Sequence, residues 1–309
     1  MDQRRDQRAG TRVAAGTQTS SGEPLGDRRG ERAAENKRRE RRGLLISSVS
    51  TVFVIGGLAT LILTSPGWED VQRTFFNWDV FTETFPDILK AFWLDIRVFM
   101  IAEVAILILG LIVALTRIST GPALFPLRLM AAVYTDIFRG IPTVLLVYLV
   151  GFGVPALVSS SGTGNEFGSG GPFDWLPTDP VVLGGFALTL SYGAYVAEVY
   201  RAGLRSVHRG QREAALAVGL TERQAMRHVV LPQAVRSVGP PLLNDFIALQ
   251  KDVALIAIIG VTGEAFRQAQ IATATDFNYT PLLGAALLYL AVTIPLARML
   301  DRWDRGRVR

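Results

Sequence analysis

Cysteine is absent from the 309 residues, which excludes a disulfide framework, a thiol nucleophile and a Cys-based zinc site. Histidine is almost absent: His208 and His228 are too few for most imidazole metal centres. Lysine occurs only at Lys37, Lys90 and Lys251, never after a glycine. A G-x-x-x-x-G-K-[ST] phosphate loop is therefore impossible, and the chain does not hold ATP through one. Charge of both signs is scarce, 19% of residues, against about 25% in soluble domains. Hydrophobic residues make up 49% and the mean hydropathy is +0.29, which together point to a membrane protein.

The little charge there is lies in blocks. Residues 1–43 hold twelve Lys/Arg against seven Asp/Glu and almost no large apolar side chain. Such a segment buries too little surface to offset the entropy of ordering, so a disordered tail is expected. It lacks the early apolar segment of a signal peptide. Its arginines fit a nucleic-acid or lipid-headgroup arm, but mixed signs favour a solvated cytoplasmic tail, and nucleic acid is not an expected partner.

Five apolar runs follow: 44–63, 98–116 (interrupted by Glu103), 140–158, 181–197 and 277–297. About 20 residues at ~1.5 Å each cross a ~30 Å hydrocarbon layer, so each qualifies with short extensions. The third is expected to start earlier, near Met130. A sixth candidate, 241–263, carries Asp245, Lys251 and Asp252. Loop charge favours counting it. Loops 116–129 and 198–240 and the end 298–309 are Arg-rich, whereas 64–90 and 159–180 are acid-rich. With six spans every basic loop faces the cytoplasm, where Lys/Arg excess belongs, and both termini are inside. The expected fold is an all-α polytopic bundle of six transmembrane helices. The outer loop 159–171, rich in Gly and Ser, is expected to be flexible.

The most informative stretch is the loop 198–240. Glu213 to Gly219, EAALAVG, is a run of helix formers stopped by a glycine suited to left-handed backbone. Thr221-Glu222-Arg223-Gln224 fits a capping box opening a second short helix. Leu231-Pro232 is expected to end it, and Gly239-Pro240-Pro241 to break the chain before the fifth span. Two short helices at the membrane surface fit either an interfacial pair on lipid headgroups or a docking element. The alanine-rich face lacks the large anchors of a lipid-facing helix, which favours a protein partner.

Glu213-Ala214-Ala215, three residues, Gly219, nine residues, Val229, one residue, Leu231-Pro232 resembles the EAA loop of ABC importer membrane subunits. The segments 191–215 and 231–261, and DIFRGIPTVLLVYL at 136–149, are similar to permeases of the polar amino-acid uptake family. The resemblance covers about 90–300. It implies a coupling helix between spans four and five, with Glu213, Ala214, Ala215, Gly219, Leu231 and Pro232 as the ATPase-coupling residues. It also implies a separate ATP-binding subunit dimer carrying ATP and Mg, an extracytoplasmic solute-binding protein and a second permease, the same chain or a sister. An amino acid is the implied substrate, and the bacterial cytoplasmic membrane the implied location. No cofactor is expected on this chain, nor enzymatic activity. The expected domains are the tail 1–43, an additional span and outer loop 44–92, a permease domain 93–300 and a cytoplasmic tail 301–309. This sequence departs from the family's pattern in Val253 and Ala254 after Lys251-Asp252, and in Asp95, Arg97 and Glu103 around span two.

Charges inside spans cost about 2.5–3.5 kcal/mol each on insertion scales and need a reason. Glu103 fits either a carboxylate for a substrate amine or a buried interhelical acid. Asp136 and Arg139, three apart, fit an intrahelical ion pair or a supported helix end near a gate. Asn244 and Lys251 share one helix face, and Asp245 and Asp252 another; with Gln250 they fit a water-lined path, a subunit interface or snorkelling. Glu103, Arg139, Asn244, Asp245, Lys251 and Asp252 are thus the translocation-path candidates. The rival readings are a self-contained secondary transporter, for which no internal repeat is visible, and a membrane-embedded enzyme, for which no H-E-x-x-H or G-x-S-x-G is present.

Overall fold

The computed structural model describes residues 43, 46–119, 121–160, 173 and 175–305. The expected tail 1–43 other than Gly43, most of the Gly/Ser-rich outer loop and residues 306–309 lie outside the described residues. The chain forms two units, Met1–Trp68 and Glu69–Arg309. The first contains one described helix, α1 (Ile46–Leu63), without a charged residue.

In the second unit, local signals set most helix starts. α2 (Trp68–Phe75) is short. Asn77 then caps α3 (Trp78–Ile118), its side chain accepting from the amides of Asp79 and Val80 at 3.1 and 3.2 Å. At ~1.5 Å per residue this 41-residue helix is about 60 Å long, roughly twice a hydrocarbon layer. Its acidic first half therefore extends beyond the apolar run expected to cross. α4 (Phe125–Gly140) and α5 (Thr143–Ser160) were expected as one span, but the chain bends by 106° between them. Pro142 is the cause: it disfavours helical backbone at the preceding residue, and Ile141 is extended at φ −91°, ψ 129°. α6 (Pro180–Ser206) starts where Asp179 accepts from the amides of Val181 and Val182, with Pro180 in the first turn.

The expected stops at Leu231-Pro232 and Gly239-Pro240-Pro241 do not occur. α7 (Arg209–Ala217) and α8 (Glu222–Ala225) are followed by a π-helical turn, Met226–Val230, and then by α9 (Leu231–Asp252). The widened turn carries the Leu231 amide to the Met226 carbonyl and places Pro232 in the first turn of α9, where its missing N–H is harmless. Pro240 and Pro241 lie inside α9 and remove two ladder donors. Packing compensates. Gly203 of α6 lies so close that a Cβ there would stand 2.0 Å from Val238 Cγ1, and the Trp303 ring lies against Gly239. After α9 come a 3-10 segment, Val253–Ile259, left-handed Gly260 at φ +88°, α10 (Ala265–Asp276) and α11 (Thr280–Arg305). α5 and α11 run through Pro155 and Pro295 unbroken.

α6 is the central helix, packed by α3, α4, α5 and α9. The main core joins Phe99 and Ile106 of α3, Val147 of α5, Leu188 and Val196 of α6, and Leu249, Val253 and Ile256 beyond. A smaller core joins Ile88 and Phe92 of α3 to Ala265, Ala269 and Ala285 of α10 and α11. Large apolar side chains such as Ile101, Ile108 and Ile112 stay exposed on α3, the pattern of a surface made for lipid or another subunit. By length and composition four stretches can cross a membrane, Ile46–Leu63, Trp68–Ile118, Pro180–Ser206 and Thr280–Trp303, and five if the bent α4–α5 pair counts as one. The segment 241–263 is not among them: α9 ends at Asp252, and the apolar run that follows, Val253–Ile259, is a 3-10 segment rather than a continuation of the α-helix.

Candidate functional site

The elements between α6 and α9 build a rigid corner. α6 outlasts its apolar run and continues to Ser206. The His208 side chain then caps α7, accepting from the Gly210 amide at 3.2 Å. α7 ends in a complete Schellman turn: Leu220 N–H donates to Ala215 O at 3.2 Å and Gly219 N–H to Leu216 O at 3.0 Å. Gly219 is left-handed at φ +91°, as its place in the sequence suggests, and nothing lies within 4 Å of where its Cβ would be. The Thr221–Gln224 capping box forms with both of its bonds. Arg212 reaches across the turn to Glu222. Ala215, Ala225, Val230 and Ala234 are buried beneath.

Arg209, Gln211, Arg212, Glu222 and Arg223 are exposed on the corner, and beside them runs a strip of small apolar side chains with one acid, Glu213. Glu213, Ala214 and Ala217 are exposed, and Val218 is 79% exposed. Glu213 makes no hydrogen bond or ion pair among the described residues. Ala215 points inward, whereas Leu231 and Pro232 lie exposed at the start of α9. The stem is clamped at Gly203, and Ser206 Oγ donates to Ser237 Oγ at 3.0 Å.

The candidates in the helical bundle separate by face. Asn244 and Lys251 are exposed, while Asp245 and Asp252 are half-buried, as seven-residue spacing dictates. Tyr192 Oη donates to Asp252 at 2.8 Å, and Thr293 Oγ1 to Gln250 at 2.8 Å. Glu103 is half-buried on α3, within electrostatic reach of Asp245, whose Oδ2 is buried without a hydrogen-bond partner. Lys251 borders a cavity of about 540 Å³ with Phe266 and Tyr289. Arg139 is not with them. It stands 5.7 Å from the centre of the Tyr195 ring, and its carbonyl accepts from Tyr195 Oη at 3.2 Å. The expected Asp136–Arg139 ion pair is not formed; the arginine turns to the aromatic ring on α6 instead.

Two polar clusters were not foreseen. Glu198 joins Arg117 of α3, at 2.9 Å, to Arg201 of its own helix. Asp95 and Glu264, 2% and 0% exposed, both lie within hydrogen-bond distance of Tyr289 Oη, at 2.8 and 2.9 Å, whose one proton serves either, and Glu264 caps α10. The latter cluster unites α3, α10 and α11 across long separations, invisible to any local pattern; the charge of Asp95 near an apolar run was its only signal. Among the described residues no group of three or more His, Cys, Asp or Glu could hold a metal ion.

The arrangement has known counterparts. Residues 106–309 match the family described as binding-protein-dependent transport system inner membrane component. The arginine transport system permease protein of Bacillus subtilis (strain 168) is 33% identical over 212 residues, 68% of this chain and 88% of the relative. The glutamine transport system permease protein of Escherichia coli (strain K12) is 30% identical over 231 residues, 74% and 97% of the two chains. A crystal structure of an amino acid ABC transporter with histidines superposes with a TM-score of 0.62 at 27% identity, over 74% of this chain and 98% of that one. This chain therefore belongs to the inner membrane components of binding-protein-dependent transport systems, and within them to the ABC permeases of amino-acid uptake.

Proposed function

We propose that this chain is the membrane half of an ATP-driven importer of polar amino acids and that α7 and α8 are its contact with the ATPase. The observation that carries this reading is the exposed face of α7, where Glu213, Ala214, Ala217 and Val218 stand clear of the rest of the chain on a turn fixed at both ends. Small side chains admit close approach of a partner backbone, and Glu213 adds one charged contact. Leu231 and Pro232 border the same corner.

ATP and Mg belong to a partner ATPase dimer, and an extracytoplasmic binding protein delivers the solute. One chain supplies half a path, so a second permease, identical or a sister, completes it. Closure of the ATPases draws the corners together and reorients the helices by alternating access. Both termini and the α7–α8 corner lie on the cytoplasmic, arginine-rich side of a bacterial inner membrane. The segment from α9 through Ile259 is the sixth crossing: Gln250 and Asp252 bond to other helices, Asn244 and Lys251 stay exposed for a second subunit, and Leu249, Val253 and Ile256 lie in the main core. Relatives named for arginine and glutamine support a polar amino acid as substrate. Glu103, Asp245 and Asp252 are the residues proposed to face its path.

Proteoliposomes containing the chain, its partner permease if distinct, and the ATPase test this. Uptake of labelled arginine or glutamine is expected to require both ATP and the binding protein. Uptake driven by an ion gradient without ATP would establish the secondary-transporter reading instead.

A further inference from the structure

A cavity of about 780 Å³ opens between the end of α6 and the α7–α8 corner, lined by Leu204, Val207, Met226 and Val230 and by Arg205, Arg209, Arg212 and Arg223 with Glu222. Four guanidinium groups thus face one carboxylate. Arg212 is held by that carboxylate at 2.7 Å. Arg205, Arg209 and Arg223 make no hydrogen bond or ion pair among the described residues. Elsewhere Arg117 and Arg201 are held by Glu198, Arg128 by the Ser119 carbonyl and Arg139 by the Tyr195 ring, whereas Arg97 and Arg227 stand exposed like those of the cavity. All three are exposed at the mouth of one cavity, where an anion would meet each of them.

The level of the cavity suggests which anion. α6 has 27 residues, about 40 Å at ~1.5 Å each, which matches the ~40–45 Å of a bilayer with its headgroup zones. Its last turn, with Leu204 and Arg205, therefore ends among inner-leaflet headgroups. Guanidinium groups bind phosphate oxygens through paired N–H donors. The leucine, valine and methionine side chains of the same cavity offer an apolar wall to the glycerol and first methylenes that follow a lipid phosphate.

We infer that this cavity binds the phosphate headgroup of an anionic phospholipid, with Arg205, Arg209 and Arg223 as its ligands. The cavity shares α7 and α8 with the proposed ATPase contact, but Glu213, Ala214, Ala217 and Val218 do not line it, and its position among headgroups rests on the cytoplasmic placement proposed above. An occupied site ties the corner to the membrane surface and makes its order depend on lipid charge.

The permease–ATPase complex is purified and reconstituted in nanodiscs of phosphatidylcholine with or without phosphatidylglycerol, and retained lipid is read by native mass spectrometry after gentle extraction. Phosphatidylglycerol is expected to be retained over phosphatidylcholine. The triple variant Arg205→Gln, Arg209→Gln, Arg223→Gln should lose that preference by about tenfold or more, and added salt should weaken it in the wild type. Glu222→Gln, which removes the only acid of the cavity, should strengthen retention, a gain that misfolding does not produce. The triple Arg→Lys variant controls for folding and should keep most of the preference. Equal retention of the two lipids by the wild type, an unchanged preference in the Gln triple, or displacement by millimolar inorganic phosphate as effective as by lipid would overturn the assignment. The last result would make it a site for free phosphate, and loss of the preference only when the ATPase is present would assign the arginines to the protein partner. Failure of amino-acid uptake with the lipid preference intact would overturn the transport reading alone, and loss of the lipid preference with uptake intact would overturn this one alone.

Discussion

Arg212 grips Glu222 with two guanidinium nitrogens, at 2.9 and 2.7 Å, across the glycine turn that separates α7 from α8. Both side chains are more than half exposed. Exposed pairs contribute about 0–1 kcal/mol, so the pair tunes the angle of the corner rather than holding it. Arg212→Ala is expected to weaken ATPase association less than about fivefold, and the swap Arg212→Glu with Glu222→Arg to recover part of it. Titration of the ATPase onto detergent-solubilised permease measures this.

Gly203 tests the stem. A Cβ there meets Val238 Cγ1 at 2.0 Å, so Gly203→Ala must separate α6 from α9 or displace the valine. Overpacking of this kind costs about 1–3 kcal/mol. Lower thermal stability in detergent is expected, and Val238→Ala in the same chain should restore most of it. No rescue would mean that the contact is not what limits the substitution.

Tyr289 Oη stands between the carboxyl groups of Asp95 and Glu264 and donates its one proton to one of them. Tyr289→Phe removes that donor from the buried pair, at about 1–3 kcal/mol. Reduced stability and membrane abundance are expected. Glu264→Gln, which can still accept from Tyr289 and cap α10, should be milder than Glu264→Leu; thermal unfolding of the purified variants gives the order.

Glu103 and Asp245 lie within electrostatic reach of each other, and no ion pair forms at either among the described residues. A cationic group of the solute suits that position. Glu103→Gln is expected to raise the KM for uptake with normal abundance. Unchanged kinetics for every transported amino acid would make Glu103 a structural residue.

The helical class, the left-handed Gly219 and the Thr221–Gln224 box were legible because each rests on neighbours within a few positions. The bend at Ile141-Pro142 was signalled by its proline, yet the apolar run continued through it and hid the break. Leu231-Pro232 and Pro240-Pro241 misled for the opposite reason. Local rules read them as stops, whereas a π turn and the packing of Gly203 and Trp303 carry the helix through. Long-range partners such as Tyr289 with Asp95, or Arg117 with Glu198, leave no periodic trace. The face division of Asn244 and Lys251 from Asp245 and Asp252 needed only the helical repeat.

Gly219 tests the central claim most directly. Its Cβ position is open, so a side chain there meets no neighbour, and the effect of substitution is confined to the backbone at φ +91°. Valine opposes that conformation by about 1–2 kcal/mol, which unwinds the Schellman turn and tilts α7. The helices outside the corner do not depend on this turn, so membrane abundance should persist. The measurement is recovery of the ATPase with the Gly219→Val permease from detergent extract, normalised to permease abundance. Coupling through α7 predicts that association and uptake are both lost, with Glu213→Ala similar but milder; wild-type recovery of the ATPase with Gly219→Val would contradict it.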